Sequence, residues 1–167
     1  GKPKTIAGQH KFITSANYVK LQHWPFEVGV TDRLGCNVMF NWEVCQPLIY
    51  GLTTFIIPEN AAVDPQLFVS SLSKHRINRI LTTPSLLSNI LQYCSQRLEE
   101  RIPDMRMWQV CGEVLPMQTV HKMQEILPKC RIGNDYSTWE TGDIAYGDPG
   151  HGAYEPSRNF AVAGIIA

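Results

Sequence analysis

Between Thr53 and Tyr136, short β-branched or apolar runs alternate with longer stretches in which apolar residues return every three or four positions. That alternation limits the possible folds more than any other feature of the chain. Thr53 to Ile57 reads TTFII and is stopped by Pro58, which predicts a strand. Asp64 then caps a predicted helix with Pro65 at its first position, and Phe68, Leu72 and His75 share one face of it. Arg79 to Thr82 reads as a second strand. Thr83-Pro84 opens the clearest helix, in which Leu87, Ile90, Leu91, Cys94 and Leu98 form an apolar stripe that must pack on a neighbour. Met107 to Cys111 predicts a third strand. Pro116 to Leu127 predicts a helix with Met117, Val120, Met123 and Leu127 inward, and Arg131 to Tyr136 a fourth strand.

Strands separated by single helices predict an α/β fold, a predominantly parallel sheet with flanking helices joined by right-handed crossovers. Such sheets bind ligands beyond the carboxyl ends of their strands. Three of those ends carry unusual residues: Thr82-Thr83-Pro84, Cys111-Gly112-Glu113 and Asn134-Asp135-Tyr136. The stretch from Asp143 to Asn159 is turn-rich, and Phe160 to Ala167 is expected to be a small apolar strand or a frayed end.

Composition removes several function classes. The 15 basic and 15 acidic residues cancel without forming a run of one sign, so no broad nucleic-acid or anionic-membrane surface is expected. No apolar run approaches the roughly 20 residues that span a bilayer. Five cysteines, Cys36, Cys45, Cys94, Cys111 and Cys130, are widely spaced with no Cys-x-x-Cys pair, which disfavours both a zinc site and a disulfide framework and predicts a reducing, cytoplasmic setting. The five histidines show no metal-ligand spacing. The chain begins Gly-Lys-Pro-Lys without an initiator Met, as an excised piece would.

At the strand ends the chain resembles the adenylate-forming superfamily: acyl-CoA synthetases, luciferases and the adenylation domains of nonribosomal peptide synthetases. Gly1-Lys2-Pro3-Lys4 is similar to the tail of the family's phosphate loop, and Trp42-Glu43 through Pro47-Leu48-Ile49-Tyr50-Gly51 to the helix after its substrate-pocket motif. Thr83-Pro84-Ser85-Leu86-Leu87 matches a Pro-Ser-Leu-Leu segment, Gly112-Glu113-Val114-Leu115-Pro116 the Gly-Glu-x-Leu motif, and Asn134 to Glu140 the Asn-x-Tyr-Gly-x-Thr-Glu motif. These five matches run in the family's order. The continuation Glu140 to Tyr146 is similar to the Ebony-like β-alanyl synthetases and to aminoadipate-semialdehyde-dehydrogenase-type proteins.

The resemblance implies part of the large N-terminal domain of the acetyl-CoA synthetase-like fold, a partial AMP-binding domain over residues 1–167, with ATP and Mg²⁺ as cofactors. It implies a small carboxylic or amino acid as substrate, and coenzyme A or the phosphopantetheine thiol of a carrier protein as acceptor. Glu140 would help place Mg²⁺, Tyr136 would stack on adenine, and Gly112, Glu113, Val114 and Asn134 would line the nucleotide. Lys2 and Lys4 would cover the phosphates. Val38, Trp42, Gln109, Cys111 and Asp135 would form the substrate pocket. Glu113 has a second reading, a structural hydrogen bond at a helix start.

Three departures bear on activity. Ser137 replaces the motif's glycine, and Trp139 stands where a hydroxyl residue contacts the α-phosphate, a contact Thr138 makes if the loop shifts by one residue. Val38 stands where amino-acid-activating domains keep an Asp for the substrate ammonium. Either the substrate lacks that ammonium, or Asp135 supplies the carboxylate from another wall; Asp135 is otherwise a strand-end Asx-turn residue. Two function readings follow: a piece of a carboxylate-activating enzyme, poorly active by itself, or a catalytically degenerate nucleotide-binding or interaction module of the same fold.

Overall fold

The computed structural model describes residues 5, 7, 10–26, 32–37, 43–138 and 142–149. Its elements are α1 (His10–His23), β1 (Arg33–Cys36), α2 (Cys45–Ile49), β2 (Thr53–Ile56), α3 (Glu59–Val63), α4 (Pro65–Lys74), β3 (Arg79–Thr82), α5 (Pro84–Tyr93), α6 (Leu98–Arg101), β4 (Met107–Cys111), α7 (Met117–Ile126), β5 (Arg131–Thr138) and β6 (Gly142–Gly147). The strands form one sheet in the order β2-β1-β3-β4-β5-β6. β1 to β5 pair in parallel and β6 closes the edge antiparallel to β5.

Local chemistry explains the predicted helices. Asp64 accepts from the backbone N–H of Gln66 and Leu67 at the start of α4, and Thr83 Oγ1 accepts from Leu86 N at the start of α5, with a proline at the first position of each helix. The apolar stripes of α4, α5 and α7 then meet one face of the sheet. Phe68, Leu72, Leu87, Ile90, Val120 and Met123 pack there with Ile80, Trp108, Val110 and Ile132. A polar contact is built into this core, where Trp108 Nε1 donates to Thr82 Oγ1 over 2.8 Å.

The opposite face is covered by α1 and residues 24–26. Trp24 packs with Met107 and Tyr146 there, and a Cβ on Gly133 would come within 2.6 Å of both the Trp24 ring and Met107 Cε. Glycine at 133 is what lets the aromatic ring lie on the sheet. Arg79 donates to the carbonyls of Trp24 and Pro25, tying the end of α1 to β3.

Several details depart from the sequence reading. Met117, predicted inward, is 48% exposed, because the first residue of α7 lies beyond the core that its later turns cover. The stripe assigned to one helix is divided: α5 ends at Tyr93, and Leu98 enters the same core from α6, after Arg97 turns the chain at a φ of 54°. The fourth predicted strand extends to Thr138. Part of the stretch read as turn-rich is strand β6, whose glycines tolerate the edge position because Ile144 and Tyr146 carry the β character.

Candidate functional site

The parallel order brings the predicted residues together. β4 and β5 are neighbours in register, with Cys111 opposite Asp135 and Val110 opposite Asn134. The Gly112-Glu113-Val114 turn therefore leaves the sheet beside Asn134 to Thr138. Gly112 has a φ of +91° and open space where a Cβ would stand. Val114 is 90% exposed and Tyr136 61% exposed. A flat aromatic and an uncovered stretch of backbone thus share one rim of the sheet, an arrangement that fits a planar base.

Glu113 has a structural task at this rim. Its carboxylate accepts from Ser85 N at 3.0 Å and from Ser85 Oγ at 2.9 Å, so it caps the first turn of α5 from the neighbouring strand end. The N-terminal partial charge of α5 favours an anion there. Ser137, in place of the motif's glycine, lies with its Oγ 3.0 Å from Cys111 Sγ. Lys2, Lys4, Val38, Trp42, Trp139 and Glu140 lie outside the described residues.

On the α1 face, Gln109, Cys111 and Asp135 are buried. Asp135 is not in a turn; it is a strand residue paired with Tyr146 of β6, and its side chain points at a lysine. Lys20 of α1 is sealed from water at 2% exposure, with Nζ 2.9 Å from Glu43 Oε1, 3.1 Å from Asp135 Oδ2 and 3.3 Å from Asp143 Oδ2. Tyr146 completes the group, its hydroxyl donating to Asp143 Oδ2 over 2.6 Å. Asp135 Oδ1 is buried with no hydrogen-bond partner among the described residues.

The electrostatics follow from burial and proximity. Burial alone would lower the Lys20 pKa, but Glu43, Asp135 and Asp143 together outweigh it and hold the ammonium well above the usual lysine value. Burial pushes Asp135 up to about 7 against the pull of Lys20, and the Asp143 and Glu43 charges add to the rise. Cys111 is pushed up to about 11 by burial, with Asp135 adding to the effect. Cys36 reaches about 11 by burial and the Glu43 charge. Thiolate chemistry is therefore disfavoured at both cysteines near neutral pH. The five cysteines, all among the described residues, form no disulfide.

Sequence reasoning missed Lys20 and Asp143. A lysine on a helix is nearly always solvated, so its position alone carried no signal. The signal that could have found it is the pair Asp135 and Asp143, two carboxylates on adjacent buried-edge strands that require a counter-charge. Among the described residues no group of His, Cys, Asp and Glu is arranged to hold a metal ion, and no helix is long and apolar enough to cross a membrane.

Comparison with known proteins identifies the family and the fold. A family model described as AMP-binding enzyme matches residues 1–164. Glycine betaine reductase ATRR of Emericella nidulans is 36% identical over 148 residues, 89% of this chain and 11% of that protein. The D-alanine–D-alanyl carrier protein ligase of Bacillus cytotoxicus is 27% identical over 143 residues, 84% of this chain and 28% of that protein. The o-succinylbenzoate coenzyme A synthetase of Bacillus subtilis, solved with ATP and magnesium ion, superposes with a TM-score of 0.70 at 17% identity, covering 89% of this chain and 30% of that one. The chain thus spans a minor part of each relative's length, and over that part it shares the fold.

Proposed function

The chain belongs to the AMP-binding enzyme family, and on that premise we propose that it forms the acyl-pocket and adenine-side part of an ATP-dependent carboxylate-activating site. The observation that carries the proposal is the rim made by Gly112, Val114 and Tyr136, an open backbone turn beside an exposed aromatic ring at two paired strand ends. In the proposed reaction a carboxylate oxygen bonds to the α-phosphorus of ATP as the bond to the β-phosphate breaks. The products are an acyl-adenylate and pyrophosphate.

Two anions must approach in line for this, so positioning and charge neutralisation supply most of the rate. Tyr136 and the Gly112 to Val114 turn would hold the base, and Thr138 at the end of β5 would offer its hydroxyl to the phosphate side. Magnesium, when bound, would neutralise charge on the phosphate oxygens, with Glu140 as the carboxylate that helps hold it. Gln109, Cys111 and Asp135 would wall the acyl pocket, together with Val38 and Trp42. The acceptor of the activated acyl group would be a thiol, on a carrier protein as in the name of the D-alanyl ligase or on coenzyme A as in that of the o-succinylbenzoate enzyme.

The test is ATP–pyrophosphate exchange by the full-length protein carrying these residues, with a panel of small carboxylic acids. Exchange that depends on one class of acid, with a tenfold or larger rise in the KM for ATP in Tyr136→Ala, supports the proposal. Absence of exchange with every acid, while ATP still binds, favours instead the degenerate module for which Ser137 and Trp139 argue.

A further inference from the structure

Among the described residues the charges around Lys20 do not balance. Three carboxylates, Glu43, Asp135 and Asp143, face one ammonium, and all four side chains are largely or wholly withdrawn from water. Lys20 has three N–H donors and three carboxylate oxygens within 3.3 Å, so its donors are already committed. It has none left for an incoming anion. The carboxylates are not saturated: Asp135 Oδ1, on a residue 3% exposed, has no hydrogen-bond partner among the described residues.

A buried surplus of negative charge is costly, and a structural role for Lys20 would be met by one carboxylate. Burial pushes Asp135 up to about 7, so near neutrality a proton partly offsets the surplus without removing it. The group also lies near where a ligand is expected: Asp135 pairs with Cys111, the last residue of β4, on the face that holds Gln109, and Ser137 Oγ lies 3.0 Å from that cysteine. Asp143, with 14% of its side chain exposed, is the member nearest solvent.

We infer that the acid activated at this site carries a cationic nitrogen, that Asp135 and Asp143 supply its counter-charge, and that Lys20 is the positioning residue that holds both carboxylates in place. This rests on the carboxylate-activating reading and adds the class of substrate to it. By the sequence resemblance, Val38 stands where amino-acid-activating relatives keep an Asp, so that position supplies no carboxylate here. A dicarboxylic acid is disfavoured, because its second carboxylate would meet the same surplus. A protonated amine and a quaternary ammonium share the required chemistry, and matched substrates separate them.

The experiment compares kcat/KM for ATP–pyrophosphate exchange by the full-length protein with isosteric acids. β-Alanine is set against butanoate, and glycine betaine against 3,3-dimethylbutanoate, with succinate as the dianion. At least one cationic acid is expected to exceed its neutral isostere by tenfold or more, with succinate weakest. Asp135→Asn and Asp143→Asn are each expected to narrow that ratio by tenfold or more, chiefly through KM. Equal use of cationic and neutral acids by the unmodified protein overturns the inference while leaving the carboxylate-activating reading standing, and it needs no variant that must fold. An unchanged ratio in both Asn variants overturns it as well. Silence with every acid defeats the activation reading itself, and this one with it.

Discussion

Lys20 Nζ lies 3.1 Å from Asp135 Oδ2, a contact between the α1 helix and the β5 strand in which neither side chain is more than 2% exposed. Breaking a buried pair by removing one partner is far more damaging than replacing both, because the survivor keeps its desolvation cost. Lys20→Met is therefore expected to lose about 3–5 kcal/mol of stability, read as a lower urea midpoint with an unchanged slope. Pairing Lys20→Met with Asp135→Asn should recover part of that loss. A single variant as stable as the unmodified protein would show that the cluster does not hold α1 to the sheet.

Asp135 also sets a pH dependence of known sign. An unfolded aspartate titrates near about 4, whereas burial pushes the folded residue up to about 7. Between those values the folded state keeps a proton that the unfolded chain has released, so this residue's contribution to stability falls as the pH rises from about 4 to about 7 and then levels off. Lys20, Glu43, Asp143, Tyr146 and Cys111 face it, and Asp135→Asn also takes its charge away from Lys20, Cys111 and Tyr146, whose raised values lie above this pH window; the variant should therefore remove this part of the slope. Urea midpoints at stepped pH for both proteins measure the difference; parallel curves would show that Asp135 is ionised throughout.

Gly133 tests the packing of α1 on the sheet. Gly133→Ala drives a methyl group to within 2.6 Å of Met107 Cε, which can swing away, and of the Trp24 ring, which is fixed by its hydrogen bond to Asp148. Overpacking of this kind costs roughly 1–3 kcal/mol. The expected signature is a lower midpoint together with a changed Trp24 environment in near-ultraviolet circular dichroism. An unperturbed spectrum would mean that Trp24 does not lie over Gly133.

Glu113 is expected to matter more for the fold than for the ligand. Its two bonds to Ser85 cap α5, and losing a cap costs about 0.5–2 kcal/mol. Glu113→Ala should lower the thermal midpoint, and Ser85→Ala in the same background should add little. Additive losses would place the two side chains in separate roles.

The parallel sheet was legible in the sequence because its strands are β-branched or apolar and its helices α4, α5 and α7 carry an apolar stripe. Other elements were silent for identifiable reasons. α1 turns Asn17 and Lys20 inward, so its buried face has no apolar period. β1 is four residues long and contains Gly35, which a strand signal would not tolerate, yet a Cβ there would meet Ile80 Cδ1 at 2.6 Å. The rim residues Gly112, Glu113 and Tyr136 stood out because strand ends rarely carry them. For Asp135 the reading stopped at two choices, a ligand carboxylate or an Asx turn, because the ammonium that faces it comes from a helix with no amphipathic signature.

The claim on which the account depends is the chemistry assigned to the rim between β4 and β5, and the products of ATP test it most directly. Mass spectrometry of the full-length protein incubated with ATP, magnesium and an acceptable carboxylic acid should detect the acyl-adenylate and an equal amount of pyrophosphate. Formation of ADP and phosphate, or an unchanged nucleotide in the presence of every acid, would contradict it.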